Sequence, residues 1–209
     1  MSVDRKSVLL VDDHPIVRAG CQQLLAGHRV IEAETGAQAL ALYRADPSDI
    51  VVLDLGLPDL GGLVVTKQLR DEDPQARILV FSMYEDPVFA AQSLALGAMG
   101  YITKNDGPEE LTVAVDTVLA GEVYLSHDMA RELAVMNFSP QRSPLQSLTA
   151  RELETLSQLG RGRSIGDIAE HLRISYKTVA NTCTQLKEKL GVSSTRELIR
   201  IAVEQRLGS

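Results

Sequence analysis

The chain has no tryptophan, and its two cysteines, Cys21 and Cys183, lie far apart, which excludes a disulfide framework. Both are expected as small buried apolar residues. No apolar run approaches the roughly 20 residues needed to cross a bilayer. Arg5 and Lys6 precede a short apolar run, but Asp12-Asp13 ends it before a signal-peptide core could form. A cytoplasmic protein without membrane contact is therefore expected. Internal repeats and low-complexity tracts are also missing. The four histidines, His14, His28, His127 and His171, show no metal-ligand spacing, and His14 is expected as a solvated residue at a pocket rim. Gly160-Arg161-Gly162-Arg163-Ser164-Ile165-Gly166 is not a dinucleotide fingerprint, because its third glycine is one residue late and no strand precedes it.

What is present divides by charge. Residues 1–140 carry 10 Lys and Arg against 21 Asp and Glu, a net −11. Residues 141–209 carry 11 against 7, a net +4, and the two parts make the chain's −7. An acidic front and a basic rear imply different partners, and the rear could face nucleic acid.

The front alternates strands and helices. Apolar runs predict strands at Ser7–Val11, Arg29–Ala33, Ile50–Leu53, Ile78–Phe81 and Gly100–Ile102. Helical patterns lie near Pro15–Leu25, Ala37–Ala45, Gly62–Arg70, Pro87–Leu96 and Pro108–Leu119. Thr35 and Asp106 read as helix starts, Gly97 and Gly121 as stops. Such alternation predicts right-handed βαβ units and an α/β fold: a doubly wound, five-stranded parallel sheet of flavodoxin-like size. A short helix is expected after Ser126. Residues 137–147, rich in Pro, Ser and Gln, read as a linker.

The rear reads as all helix. Thr149 with Glu152, Ser164 with Asp167, and Ser194 with Glu197 form capping boxes. A further helix starts after Ser175 and stops at Gly191. Four helices in about 60 residues predict a small bundle.

Asp54 ends the run Ile50-Val51-Val52-Leu53, and Asp12-Asp13 end the run before them. In a parallel sheet, Asp12, Asp13, Asp54, Ser82 and Lys104 all lie beyond strand C-termini on one edge, where ligands gather. The acids would repel one another without a cation. Mg²⁺ suits Asp13 and Asp54, with Asp12 in support. Asp54 can act as the nucleophile for a phosphoryl group, with Lys104 and Ser82 neutralising its oxygens. A lone Asp after a strand is more often a turn former, but coincidence at this many strand ends is improbable.

The motifs Val11-Asp12-Asp13-His14-Pro15, Leu53-Asp54-Leu55-Gly56-Leu57-Pro58, Ser82 and Gly100-Tyr101-Ile102-Thr103-Lys104, in this order, resemble those of a response-regulator receiver domain. The resemblance covers residues 5–122, and the whole chain resembles the NarL/FixJ family of two-component transcription factors. It implies that Asp54 accepts a phosphoryl group from the phosphohistidine of a sensor histidine kinase. It also implies that the Gly56 carbonyl joins the metal site, and that Ser82 and Tyr101 form a switch pair whose aromatic ring swings inward.

In the rear, Ile165–Leu172 and Tyr176–Leu190, joined by Arg173-Ile174-Ser175, have helix-turn-helix spacing. Val179, Cys183, Leu186 and Leu190 form an apolar stripe. Opposite lie Lys177, Ala180, Asn181, Thr184 and Lys187. The stretches Leu148-Thr149-Ala150-Arg151-Glu152, Ile168-Ala169 and Ile174-Ser175-Tyr176-Lys177-Thr178-Val179 resemble those of a LuxR-type DNA-binding domain, here residues 148–209, after a helix and linker over 123–147. The resemblance implies that Ala180, Asn181 and Thr184 face bases of promoter DNA, and that Ser175, Lys177, Thr178 and Lys187 face phosphates. Many relatives carry Lys, His or Arg on this face; here Asn181 could read adenine and Ala180 a thymine methyl. The last helix, Thr195–Arg206, is implied as the homodimer surface when DNA is bound; Val192, Leu198, Ile201 and Ala202 include candidates, although some must pack internally.

The expected function is thus a phosphorylation-switched transcription factor, not a turnover enzyme. A Mg²⁺-dependent phosphatase would need a substrate cap, and no large insertion supplies one. A phosphorylation-independent DNA binder or adaptor would show a degraded acidic pocket, whereas every acid is in place.

Overall fold

The computed structural model describes residues 5–138, 144–172, 174–205 and 207, without the side chains of Asn137 and Phe138. Its front half runs β1 (Ser7–Val11), α1 (Pro15–Leu24), β2 (Arg29–Ala33), α2 (Gly36–Ala45), β3 (Ile50–Leu53), α3 (Gly62–Glu72), β4 (Ile78–Ser82), α4 (Pro87–Ala95), β5 (Gly100–Thr103), α5 (Pro108–Leu119), β6 (Tyr124–Leu125) and α6 (His127–Phe138). A 3₁₀ turn at Pro144–Ser147 leads to α7 (Ala150–Gly160), α8 (Ile165–His171), α9 (Tyr176–Leu190) and α10 (Thr195–Glu204).

The sheet is wholly parallel, in the order β2-β1-β3-β4-β5-β6. Strand order reverses at β1, so the crevice beyond the C-terminal ends of β1 and β3 is the topological switch point. Alternation along each strand separates two apolar layers. Val8, Leu10, Ile50, Val52 and Ile102 pack with Cys21 of α1 and Leu111, Ala114, Val115 and Val118 of α5. Leu9, Val11, Val51, Leu53 and Val80 pack under α2, α3 and α4. Each such aliphatic side chain, fully buried, contributes roughly 1.5–3 kcal/mol relative to exposure.

The second layer continues without a break into the rear half, through Met129, Leu145, Leu153, Leu156, Val179 and Leu198. The two halves also touch directly where α3 packs against α7, and within the front half α4 packs against α6. Gln92 of α4 donates from Nε2 to the Leu148 carbonyl at 2.7 Å.

Local signals act largely as read. Thr35 caps α2 by accepting the Gln38 N–H, and capping boxes open α7, α8 and α10. Gly97 and Gly121 follow their helices with φ of 99° and 89°, a region glycine enters without steric cost. Four expectations need correction. A sixth strand, β6, adds to the five predicted; with only two residues it carries no periodic signal. Asp106 does not start α5, which begins at Pro108 after Gly107; instead its Oδ2 accepts the Thr103 N–H at 2.7 Å and tightens the turn carrying Lys104. The predicted linker 137–147 is shorter, because α6 runs through Phe138 and Pro144–Ser147 form the 3₁₀ turn; residues 139–143 lie outside the described ones. The last helix ends at Glu204 rather than Arg206, which also lies outside them.

Candidate functional site

The ladders that build the sheet place the acids. Asp12 donates its N–H to the Ala33 carbonyl at 3.1 Å, and Asp54 to that of Val11 at 2.9 Å, so each sits one step beyond its strand. Lys104 donates its N–H to the Ser82 carbonyl at 2.8 Å. Its ammonium reaches back over the switch point to within 2.6 Å of both Asp12 Oδ2 and Asp54 Oδ2. Asp12 and Asp54 are buried, and Asp13 is half-buried.

Carboxylate oxygens of Asp12, Asp13 and Asp54 and a ring nitrogen of His14 all lie within 4.8 Å of one another. His14 is thus more than the solvated rim residue expected: its Nδ1 is 2.7 Å from Asp13 Oδ1 and 3.3 Å from Asp12 Oδ1, although its side chain is largely exposed. The signal was available, since Asp12-Asp13-His14 are consecutive at a strand end. Burial and the neighbouring Asp54 and Asp12 charges raise the Asp13 carboxyl, against the opposing pull of His14. Burial alone would lower the Lys104 ammonium, but Asp54 and Asp12 together raise it, so it stays charged.

Three carboxylates therefore face one buried ammonium. Two buried oxygens, Asp12 Oδ2 and Asp13 Oδ1, are faced by the Lys104 ammonium at 2.6 Å and by His14 Nδ1 at 2.7 Å, and neither accepts a hydrogen bond from the backbone. Clustered carboxylate oxygens with surplus negative charge fit a hard divalent cation. Gly56 sits at the same rim and donates its N–H to Asp54 Oδ1 at 3.2 Å.

Ser82 and Tyr101 are both fully buried. Ser82 Oγ accepts the Tyr84 N–H at 3.4 Å, and Tyr101 donates its hydroxyl to the Tyr84 carbonyl at 2.7 Å. Burial drives the Tyr101 phenol well above its ordinary range. The ring already lies inward, with its hydroxyl on the loop after β4. Tyr84 stacks on Phe89 with centroids 4.2 Å apart.

The rear half brings one face of α7 to this edge. Glu154 is buried against Gly61 and Gly62, and Arg161 lies over the Tyr84 ring, 4.9 Å from its centroid. Burial pushes the Glu154 carboxyl up to about 7, with Asp59 adding to the rise and Arg151, 2.9 Å away, opposing it.

In α9, Val179, Cys183 and Leu186 are buried and Leu190 packs at the core's margin, as the stripe predicts. Ser175 caps the helix and accepts the Thr178 N–H at 3.1 Å. Ser175, Lys177, Thr178, Asn181 and Thr184 are exposed on the opposite side, while Ala180 and Lys187 are half-buried. Of the four dimer candidates, Leu198 and Ala202 are the ones that pack internally, fully buried in the contact of α10 with α7. On α10, Val203 is the large apolar residue left exposed. No helix among the described residues is long and apolar enough to cross a membrane.

A parallel sheet with an acidic switch-point crevice, joined to a capped helix-turn-helix, defines a two-module regulatory protein. Residues 8–116 match the response regulator receiver domain, and residues 146–202 match the bacterial regulatory proteins of the luxR family. The chain is 39% identical over 207 residues to the transcriptional activator protein ExaE of Pseudomonas putida, covering 96% of this chain and 97% of that one. It is 36% identical to the response regulator GacA of Pseudomonas aeruginosa, with 94% of each covered. Among solved structures, RcsB of Salmonella enterica serovar Typhimurium, bound to a promoter with phosphomimetic BeF₃⁻, shares the fold with a TM-score of 0.74. That match is 24% identical and covers 96% of this chain and all of that one. The chain belongs to the NarL/FixJ family of response regulators and is a DNA-binding transcriptional regulator of a two-component system.

Proposed function

We propose that residues 5–122 are a receiver switched by phosphorylation of Asp54, and that residues 148–209 carry the response to promoter DNA. The observation that carries this reading is the Asp54 carboxylate, buried at the switch point, with the Lys104 ammonium 2.6 Å from its Oδ2. Asp54 attacks the phosphorus of a phosphohistidine in a sensor histidine kinase, the P–N bond breaks, and an acyl phosphate remains. Lys104 and Ser82 stabilise the phosphoryl oxygens, and Tyr101 reports the change through the loop at Tyr84. Asp12, Asp13 and Asp54, with the Gly56 carbonyl, would hold Mg²⁺, which offsets charge on those oxygens when bound.

On α9, Ala180, Asn181 and Thr184 face bases, while Ser175, Lys177, Thr178 and Lys187 face phosphates. The DNA-bound form is a homodimer reading half-sites about one helical turn apart. A cytoplasmic location accords with both partners. Labelling with a radioactive phosphodonor and Mg²⁺ tests the acceptor: Asp54→Asn abolishes the label, and undiminished labelling refutes the assignment.

A further inference from the structure

Arg161 is a cation without an ion-pair partner among the described residues. It follows α7 in the DNA-binding half, yet it lies against the receiver, its guanidinium stacked over Tyr84. Its Nη1 is 3.9 Å from the position a β-carbon would take at Gly56, and Asp54 Oδ2 is 3.7 Å from that same position. The two atoms are therefore at most about 8 Å apart; Asp54 is buried but Arg161 is exposed, so solvent screens the attraction and it stays modest until charge is added at Asp54. A phosphoryl group on Asp54 extends outward from the carboxylate and adds negative charge. The Tyr84 ring keeps the guanidinium at the mouth of the pocket, an attraction that itself favours a cation.

We propose that Arg161 is a positioning residue of the phosphoacceptor site, supplied by the DNA-binding half, that binds the charge of the phosphorylated receiver and clamps the two halves together. The inference rests on the reading of Asp54 as the acceptor. It sets the direction of the switch. The side of α9 assigned to DNA is already largely open in this arrangement, with Lys177, Asn181 and Thr184 exposed and Ala180 half-buried. Phosphorylation therefore need not release the rear half to uncover it. It tightens an arrangement that leaves the recognition surface free, and by linkage that arrangement retains the phosphoryl group better.

The test is titration of the full chain with BeF₃⁻ and Mg²⁺, followed by ¹⁹F NMR because the chain has no tryptophan to report. Arg161→Ala weakens BeF₃⁻ about threefold to tenfold, Arg161→Glu weakens it further, and Arg161→Lys stays within about twofold of the parent chain. Saturating BeF₃⁻ slows amide exchange across residues 150–160 in the parent chain but not in Arg161→Ala. Parent-level affinity in Arg161→Ala, with binding abolished in Asp54→Asn, overturns the role of Arg161 and leaves the acceptor intact. Faster exchange in α7 on BeF₃⁻ binding also overturns the clamp. No BeF₃⁻ binding by the parent chain removes the acceptor reading and this inference together.

Discussion

The Glu154 carboxylate of the DNA-binding half rests against Gly61 of the receiver, in the space any β-carbon at Gly61 would occupy. Glycine there lets a buried acid and a loop backbone share one place between the halves. Gly61→Ala should expel the Glu154 side chain and loosen the contact of α3 with α7. Small-angle scattering reads this as a larger radius of gyration. Glu154→Ala in the same chain makes room for the new methyl and should restore the compact form, a strong coupling between neighbours. Purely additive effects of the two substitutions would sink the idea.

The same carboxyl makes docking depend on pH. Burial raises it to about 7 from an ordinary 4.5, with Asp59 adding and Arg151 opposing. An acid whose value is raised in the docked form favours docking while it is protonated. That stabilisation is complete below about 4.5 and is lost as the pH rises through 7, a total on the order of 3 kcal/mol. Amide exchange across α7 should therefore quicken between pH 6 and pH 8.5 beyond the intrinsic trend. Glu154→Gln should flatten the excess; an undiminished excess in that variant excludes Glu154 as its source.

Lys104 stands between Asp12 and Asp54 and holds both. Lys104→Ala leaves two buried carboxylates uncompensated and should cost about 3 kcal/mol of stability in a chelator, read by denaturant unfolding. If Asp12, Asp13 and Asp54 hold the cation as proposed, millimolar Mg²⁺ should supply replacement charge and return most of that loss. An equal loss with and without Mg²⁺ would mean that these acids do not hold the cation.

Much of this site was legible along the chain because its members sit at strand ends. Apolar runs ending in Asp12 and Asp54 announce both the strand and the edge, and the ends of the receiver's predicted elements lie within two residues of those observed. The readings that failed depend on which of several available partners a residue takes. Asp106 looks like a helix cap until Pro108 sets the first turn and Thr103 claims the carboxylate. Spacing alone does not say which of the four dimer candidates pack internally, and the contact of α10 with α7 takes Leu198 and Ala202. Glu154 and Arg161 follow ordinary helical spacing, and only docking against Gly61 and Tyr84 gives them a role.

On α9, Lys177 and Asn181 are one turn apart and both exposed, but they should fail in different ways when removed. The proposed function puts Lys177 at a phosphate, so Lys177→Ala should weaken binding to every duplex alike and lower the salt-dependence slope by about one. Asn181 has the paired donor and acceptor that match the major-groove edge of adenine. Asn181→Ala should therefore leave the salt slope unchanged and cost about 1–3 kcal/mol on the preferred sequence alone. Binding to a randomised duplex library at two salt concentrations separates the two effects. A uniform loss from Asn181→Ala across the library would place Asn181 on the phosphate backbone instead of a base.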